Sequence, residues 1–144
     1  MIALLRRVLR LLLATLFLFA GSLHLVNPTL FLPIMPPGIP FPIACIVISG
    51  IAELLGGLGL LVPLRGIQLA AGWGLMLLLV AVFPANIYMA AAHIRVHGIP
   101  AQPWIAWARL PLQPVLMVAV AWVSGAWRGS CHKRDASETI TETM

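Results

Sequence analysis

Acidic residues are scarce in this sequence. Its 144 residues hold four Asp and Glu, and three of these, Asp135, Glu138 and Glu142, fall in the last ten positions. Charged residues of both signs make up 9% of the chain, against about 25% in a soluble domain. With 61% hydrophobic residues and a mean hydropathy of +1.02, a chain of this length could not bury its own apolar surface in water. One membrane-embedded domain is predicted. The lack of acid also narrows the chemistry. Glu53 stands alone in the apolar part of the chain, so no carboxylate pair is available for acid–base work. Cysteine is equally sparse: Cys45 and Cys131 are the two, and Cys131-His132 has no second pair with which to build a metal site. No glycine-rich phosphate loop occurs. The net charge of +5 comes from basic residues that flank apolar runs, with no basic stripe interleaved with aromatics, so nucleic acid is not expected as a partner.

What the sequence has in abundance is apolar length. Four runs, about 8–26, 43–62, 67–92 and 104–127, predict an all-α membrane four-helix bundle. The domain spans 1–127, and a polar tail, 128–144, is too short to fold alone. Arg6, Arg7 and Arg10 precede the first run, as in a signal peptide, but Leu18 stands where cleavage wants a small residue, so a retained signal-anchor helix is expected. Between the first two runs lies an apolar segment, 27–42, with six prolines in sixteen residues. That density excludes a regular α-helix; the segment is expected to lie in the interface or over the bundle mouth, with a single helical turn at 28–32. Pro63-Leu64-Arg65-Gly66 predicts a tight hairpin, and Pro84 a kink or tilt in the third helix. With the N-terminus inside, Arg6, Arg7, Arg10, Arg65, Arg128, Lys133 and Arg134 face the cytoplasm, against Arg95 and Arg109 outside. Seven against two predicts both termini in the cytoplasm of a bacterial inner membrane. That topology separates Cys45 from Cys131, so no intramolecular disulfide is expected.

The polar residues inside these runs are the candidate site. Glu53 sits near the middle of the second run, where an ionisable side chain costs about 2.5–3.5 kcal/mol to insert. Ser49 and Gly56 share its face on a helical wheel. Small neighbours admit a second helix, so Glu53 should point into the bundle. Arg109, in the outer part of the fourth helix, is its expected partner. Gln113 follows at i+4, between Pro111 and Pro114, which leave backbone carbonyls unpaired. His24 closes the first helix, and Asn86 follows Pro84 in the third. A loop predicted over 93–103 carries His93 and His97, both expected to be solvated. The polar groups gather in the outer half, which predicts a polar pocket lined by His24, Ser49, Glu53, Asn86, Arg109 and Gln113 and roofed by the proline-rich segment. Each has a plainer reading beside this one: Glu53 with Arg109 as a structural ion pair, His24 as an interfacial histidine, Asn86 as a cap on backbone freed by Pro84. No metal site is expected, and no catalytic residue is assigned.

The order of short motifs is more telling than any one of them. Ala20-Gly21-Ser22-Leu23-His24, Asn27-Pro28, Ile34-Met35-Pro36-Pro37, then Ser49-Gly50-Ile51-Ala52-Glu53-Leu54-Leu55-Gly56-Gly57, Phe83-Pro84-Ala85-Asn86-Ile87 and Arg109-Leu110-Pro111-Leu112-Gln113 follow one another. From about residue 8 to 127 the chain resembles the DoxX-like family of small bacterial membrane proteins. The resemblance implies a four-helix membrane bundle in which His24, Glu53, Asn86, Arg109 and Gln113 match recurrent positions. The family takes its name from a subunit of a thiosulfate:quinone oxidoreductase, and some relatives associate with redox enzymes.

Three functions follow as expectations. The first is a binding or accessory subunit of a membrane redox system, whose pocket holds a quinone-like or other lipophilic molecule; quinone carbonyls need donors in an apolar slot. The second is a structural or assembly protein whose polar cluster only holds the bundle. The third is a membrane enzyme using Glu53 as acid or base on a lipophilic substrate. Transport would ask for a polar path through the inner half, which has only Gln68 and Ser124. Expected partners are the lipid bilayer and either a redox-enzyme complex or further copies of the chain.

Overall fold

A computed structural model describes residues 1–92 and 103–127. The expectations about His93, His97, Cys131 and the tail 128–144 lie outside these residues. The described chain is all α-helical: α1 (Ile2–Val26), a 3₁₀ segment (Pro28–Ile34), α2 (Pro42–Leu61), α3 (Arg65–Ala91) and α4 (Pro103–Ser124). Each of the four α-helices contains a stretch long and apolar enough to cross a membrane.

Proline and glycine set the boundaries. Pro28 stops α1, because it has no N–H to donate and its ring disfavours helix in the residue before it. Pro42 opens α2 at a position where the missing N–H costs nothing. Between them the prolines forbid a continuous i→i−4 ladder, and the segment closes shorter turns instead: the Leu30 N–H bonds the Asn27 carbonyl at 3.1 Å and the Met35 N–H that of Leu32 at 3.1 Å. α1 begins six residues before the apolar run predicted it would. No breaker interrupts Ile2–Leu9, so the arginines extend the helix even though they end its apolar span.

Consecutive helices pack, and α1 also packs on α4, giving the cyclic order α1–α2–α3–α4 with α2 and α4 on diagonal corners. The main core lies among Leu13, Ala14, Phe17, Leu60, Leu75, Leu79, Val120 and Val123. A smaller core, Ile34 with Met89, seats the 3₁₀ segment on α3. The outward faces are apolar throughout: Leu12, Phe19, Ile48, Leu55, Leu77 and Val115 are each more than 60% exposed. Apolar exposure on that scale is foreign to soluble monomers.

Glycines let the helices approach. A Cβ on Gly21 would lie 2.7 Å from the Gly50 carbonyl oxygen, and one on Gly57 3.1 Å from that of Ala14, so α1 and α2 meet backbone to backbone. Gly59 admits Ala71, and Gly72 admits Ser124. Past the end of α4, Gly125 takes a φ of 84°. The Arg6 guanidinium reaches across from α1 to the Val123 carbonyl, at 3.1 Å from Nη2 and 3.3 Å from Nε, and so closes the ring of helices at that end. Gly125→Ala should cost about 1–2 kcal/mol, the penalty for an L side chain in the left-handed region, read as a lower unfolding temperature in detergent.

Candidate functional site

Two polar clusters lie in the half of the bundle covered by the 3₁₀ segment. The first joins α1 to α2: His24 Nδ1 lies 2.9 Å from Glu53 Oε2. Local geometry makes the contact. Helical side chains lean toward their own N-terminus, and α1 and α2 are antiparallel, so His24 and Glu53 lean toward one another. Gly21 and Gly50 bring the two backbones close enough for short side chains to span the gap. His24 and Glu53 are 17% and 12% exposed. The Phe31 ring stands edge-on to the His24 ring, with centroids 4.2 Å apart and an interplanar angle of 67°. The proline-rich segment thus packs over this end of the bundle, on α1, α2 and α3.

With Glu53 as a carboxylate, which can only accept, Nδ1 of His24 carries the proton. Nε2 then remains on the far edge of the ring, with no partner among the described residues.

The second cluster joins α3 to α4. Asn86 Nδ2 donates to Gln113 Oε1 at 2.8 Å, and Gln113 Nε2 donates to the Leu79 carbonyl. Gln113 is 4% exposed. Pro84, inside α3, has no N–H for the Val80 carbonyl, and Gln113 bonds the carbonyl immediately before it. Asn86 is therefore not the cap on backbone freed by Pro84 that the sequence suggests: its amide donates to Gln113, and Gln113 reaches the Leu79 carbonyl, one residue before the carbonyl that Pro84 frees. Among the described residues, no buried side-chain nitrogen or oxygen lacks a partner. Gln113→Leu should cost about 1 kcal/mol, typical of a hydrogen bond between membrane helices, measured by denaturant titration in mixed micelles.

Three sequence expectations are corrected. Glu53 is bonded to His24 and not to Arg109, because α2 and α4 occupy diagonal corners while α1 lies directly against α2. Arg109 is half-buried and makes no hydrogen bond or ion pair among the described residues. Ser49 does not join the cluster either; its hydroxyl donates to the Ile46 carbonyl of its own helix at 2.8 Å. The face that Glu53 shares is Gly50 and Gly57, turned to α1, whereas Gly56 turns to Leu75 of α3. A signal for the true pair was present: Gly21-x-x-His24 and Gly50-x-x-Glu53 repeat the same spacing, which sets each polar residue one turn from a glycine on the same face. Phe31, against His24, carried no sequence signal beyond its place in an apolar loop.

No curated protein matches the chain, and no solved structure does. The model of one family, described as a domain of unknown function (DUF8561), matches residues 13–124, from the first core leucine to the end of α4, and the chain belongs to that family.

Proposed function

We propose that the chain is a DoxX-like multi-pass protein of the bacterial cytoplasmic membrane, with both termini in the cytoplasm. In this reading its outer half holds a quinone-like or other lipophilic molecule, and it serves as an accessory subunit of a membrane redox system, alone or as a homo-oligomer. The four apolar helices and the bias of seven basic residues against two support the membrane topology. The observation that carries the functional reading is the His24–Glu53 pair. Glu53 orients the imidazole and fixes which ring nitrogen faces away from it. A neutral ring offers Nε2 as an acceptor to a hydroxyl, and an imidazolium offers it as a donor to a carbonyl. A quinol presents the first group and a quinone the second, so one nitrogen can serve both states. Arg109, unpartnered among the described residues, supplies a second donor from α4.

The Asn86–Gln113–Leu79 chain favours a structural role for the α3–α4 half, because Gln113 is buried and its amide is already engaged at both ends.

Glu53→Gln tests the functional reading. The amide oxygen can still accept from Nδ1, so the hydrogen bond survives while the charge is removed. Mass spectrometry of lipophiles extracted from purified wild type and variant is the measurement. A variant that stays folded and loses a co-purifying quinone-like molecule supports the reading. A wild type that carries no such molecule, or a folded variant that retains it in full, refutes it.

A further inference from the structure

The end of the bundle opposite the 3₁₀ segment holds a groove of about 1020 Å³, into which Arg6, Arg7, Arg10 and Arg65 converge. This is at the upper end of the roughly 300–1,000 Å³ that small-molecule sites occupy. Arg7 and Arg10 stand at i, i+3 and Arg6 and Arg10 at i, i+4, so the three share one face of α1. Arg65 is the first residue of α3, where backbone N–H groups lack helical partners and the helix dipole favours an anion. Glu53 is the one acidic residue among the described residues, and it lies in the other half of the bundle. Arg7, Arg10 and Arg65 accordingly make no ion pair among the described residues. Its remaining walls are amphipathic: Trp122 and Trp127 are 37% and 65% exposed, and Ile2 and Val118 are more than half exposed.

We propose that this groove binds the headgroup of an anionic phospholipid, with Arg7, Arg10 and Arg65 on the phosphates and its tryptophans and aliphatic rim against the glycerol and upper acyl chains. The three guanidiniums of Arg7, Arg10 and Arg65, from two helices, match a headgroup with two phosphates better than one with a single charge. Guanidinium forks bind phosphate oxygens in pairs, and basic pockets between membrane helices select such headgroups. A soluble anion would use the arginines and leave the apolar rim without purpose. The Arg6 bonds to the Val123 carbonyl fix one wall by tying α1 to the end of α4. The inference requires the helices to span a bilayer, but neither their orientation nor a ligand at His24–Glu53, so its failure would leave that reading standing.

Native mass spectrometry of the full chain in neutral detergent provides the test, with titration of a tetraoleoyl diphosphatidylglycerol and, separately, dioleoyl phosphatidylcholine. The wild type should retain the anionic lipid roughly tenfold or more in preference to the zwitterionic one. Arg7→Gln combined with Arg65→Gln, both exposed positions, should remove most of that preference, and the Lys pair at the same positions should keep part of it. No preference in the wild type overturns the proposal whether or not the double variant folds. So does a folded Gln pair that binds as the wild type does. Displacement of the lipid by millimolar inorganic phosphate would assign the groove to a soluble anion and also overturn it. A preference that emerges only once Asp135, Glu138 and Glu142 are neutralised would assign the groove to the chain's own tail, with the same consequence.

Discussion

Gly50→Leu is expected to separate α1 from α2 and to abolish a stable bundle in mild detergent. Even the first atom of the new side chain has no room: a Cβ at position 50 would sit 2.7 Å from the His24 Cβ and 3.0 Å from the Gly21 carbonyl oxygen. Neither obstacle is the free end of a flexible chain, so relief requires movement of a helix. Overpacking of this kind costs roughly 1–3 kcal/mol for a modest excess, and leucine adds three further carbons in the same direction. The His24–Glu53 bond lies at that crossing and should be lost with it. Gly74 is the control. A Cβ there would meet nothing within 4 Å, so Gly74→Ala should be neutral or slightly stabilising, since helix propensity favours alanine by up to about 1 kcal/mol. Thermal unfolding followed by size exclusion distinguishes the cases; a Gly50→Leu protein that elutes and melts as wild type would show that the seam is not close-packed.

The second large effect is expected at Glu53, where two substitutions should separate. Glu53→Leu removes the acceptor and strands the His24 Nδ1 donor in a mostly buried site. A hydrogen bond between membrane helices contributes about 0.6–1.7 kcal/mol, and the stranded donor adds its own desolvation cost, so a loss of about 2 kcal/mol or more is expected. Glu53→Gln keeps an oxygen in place and should lose less than half as much. His24→Ala combined with Glu53→Leu should recover part of the Leu penalty, because no unpaired donor is left. The unfolding free energies of the wild type, Glu53→Leu, His24→Ala and the double variant, measured in one detergent mixture, close a double-mutant cycle. A coupling energy near zero would mean that the two side chains do not communicate, and the functional reading of the pair would fall with it.

How far the sequence anticipated the molecule depends on the kind of information each feature needs. Helix number and approximate extent were legible because apolar length and proline are local signals; the observed α2 and α3 ends lie within two residues of those expected. The start of α1 was not, because hydropathy reports the apolar span and not the helix, and Arg6, Arg7 and Arg10 are good helix formers. The candidate residues His24, Glu53, Asn86 and Gln113 were legible as polar groups in apolar runs, and the structure joins them in two pairs. Which pairs form was not legible. Pairing Glu53 with Arg109 used depth along the helix axis, which rise per residue supplies, but it also needed the lateral order of helices, which apolar periodicity does not encode. The matched glycine spacing on α1 and α2 is the closest the chain comes to writing that order down. The N-terminal arginines were read for topology alone; that they share a groove with α3 and α4 depends on the same lateral order.

The Arg6 contact with Val123 has a consequence for biogenesis. It joins residues 117 positions apart and completes a ring whose other seams all lie between helices adjacent in sequence. As the chain leaves the ribosome, α1, α2 and α3 can zip together in order, but the edge of α1 that receives α4 has no occupant until the last helix has been made. During synthesis, that flank must be shielded by lipid or by the insertion machinery. A ribosome stalled before α4 would therefore leave a three-helix nascent chain with two seams unformed, those of α4 with α3 and with α1, a form that quality control could distinguish from the finished protein.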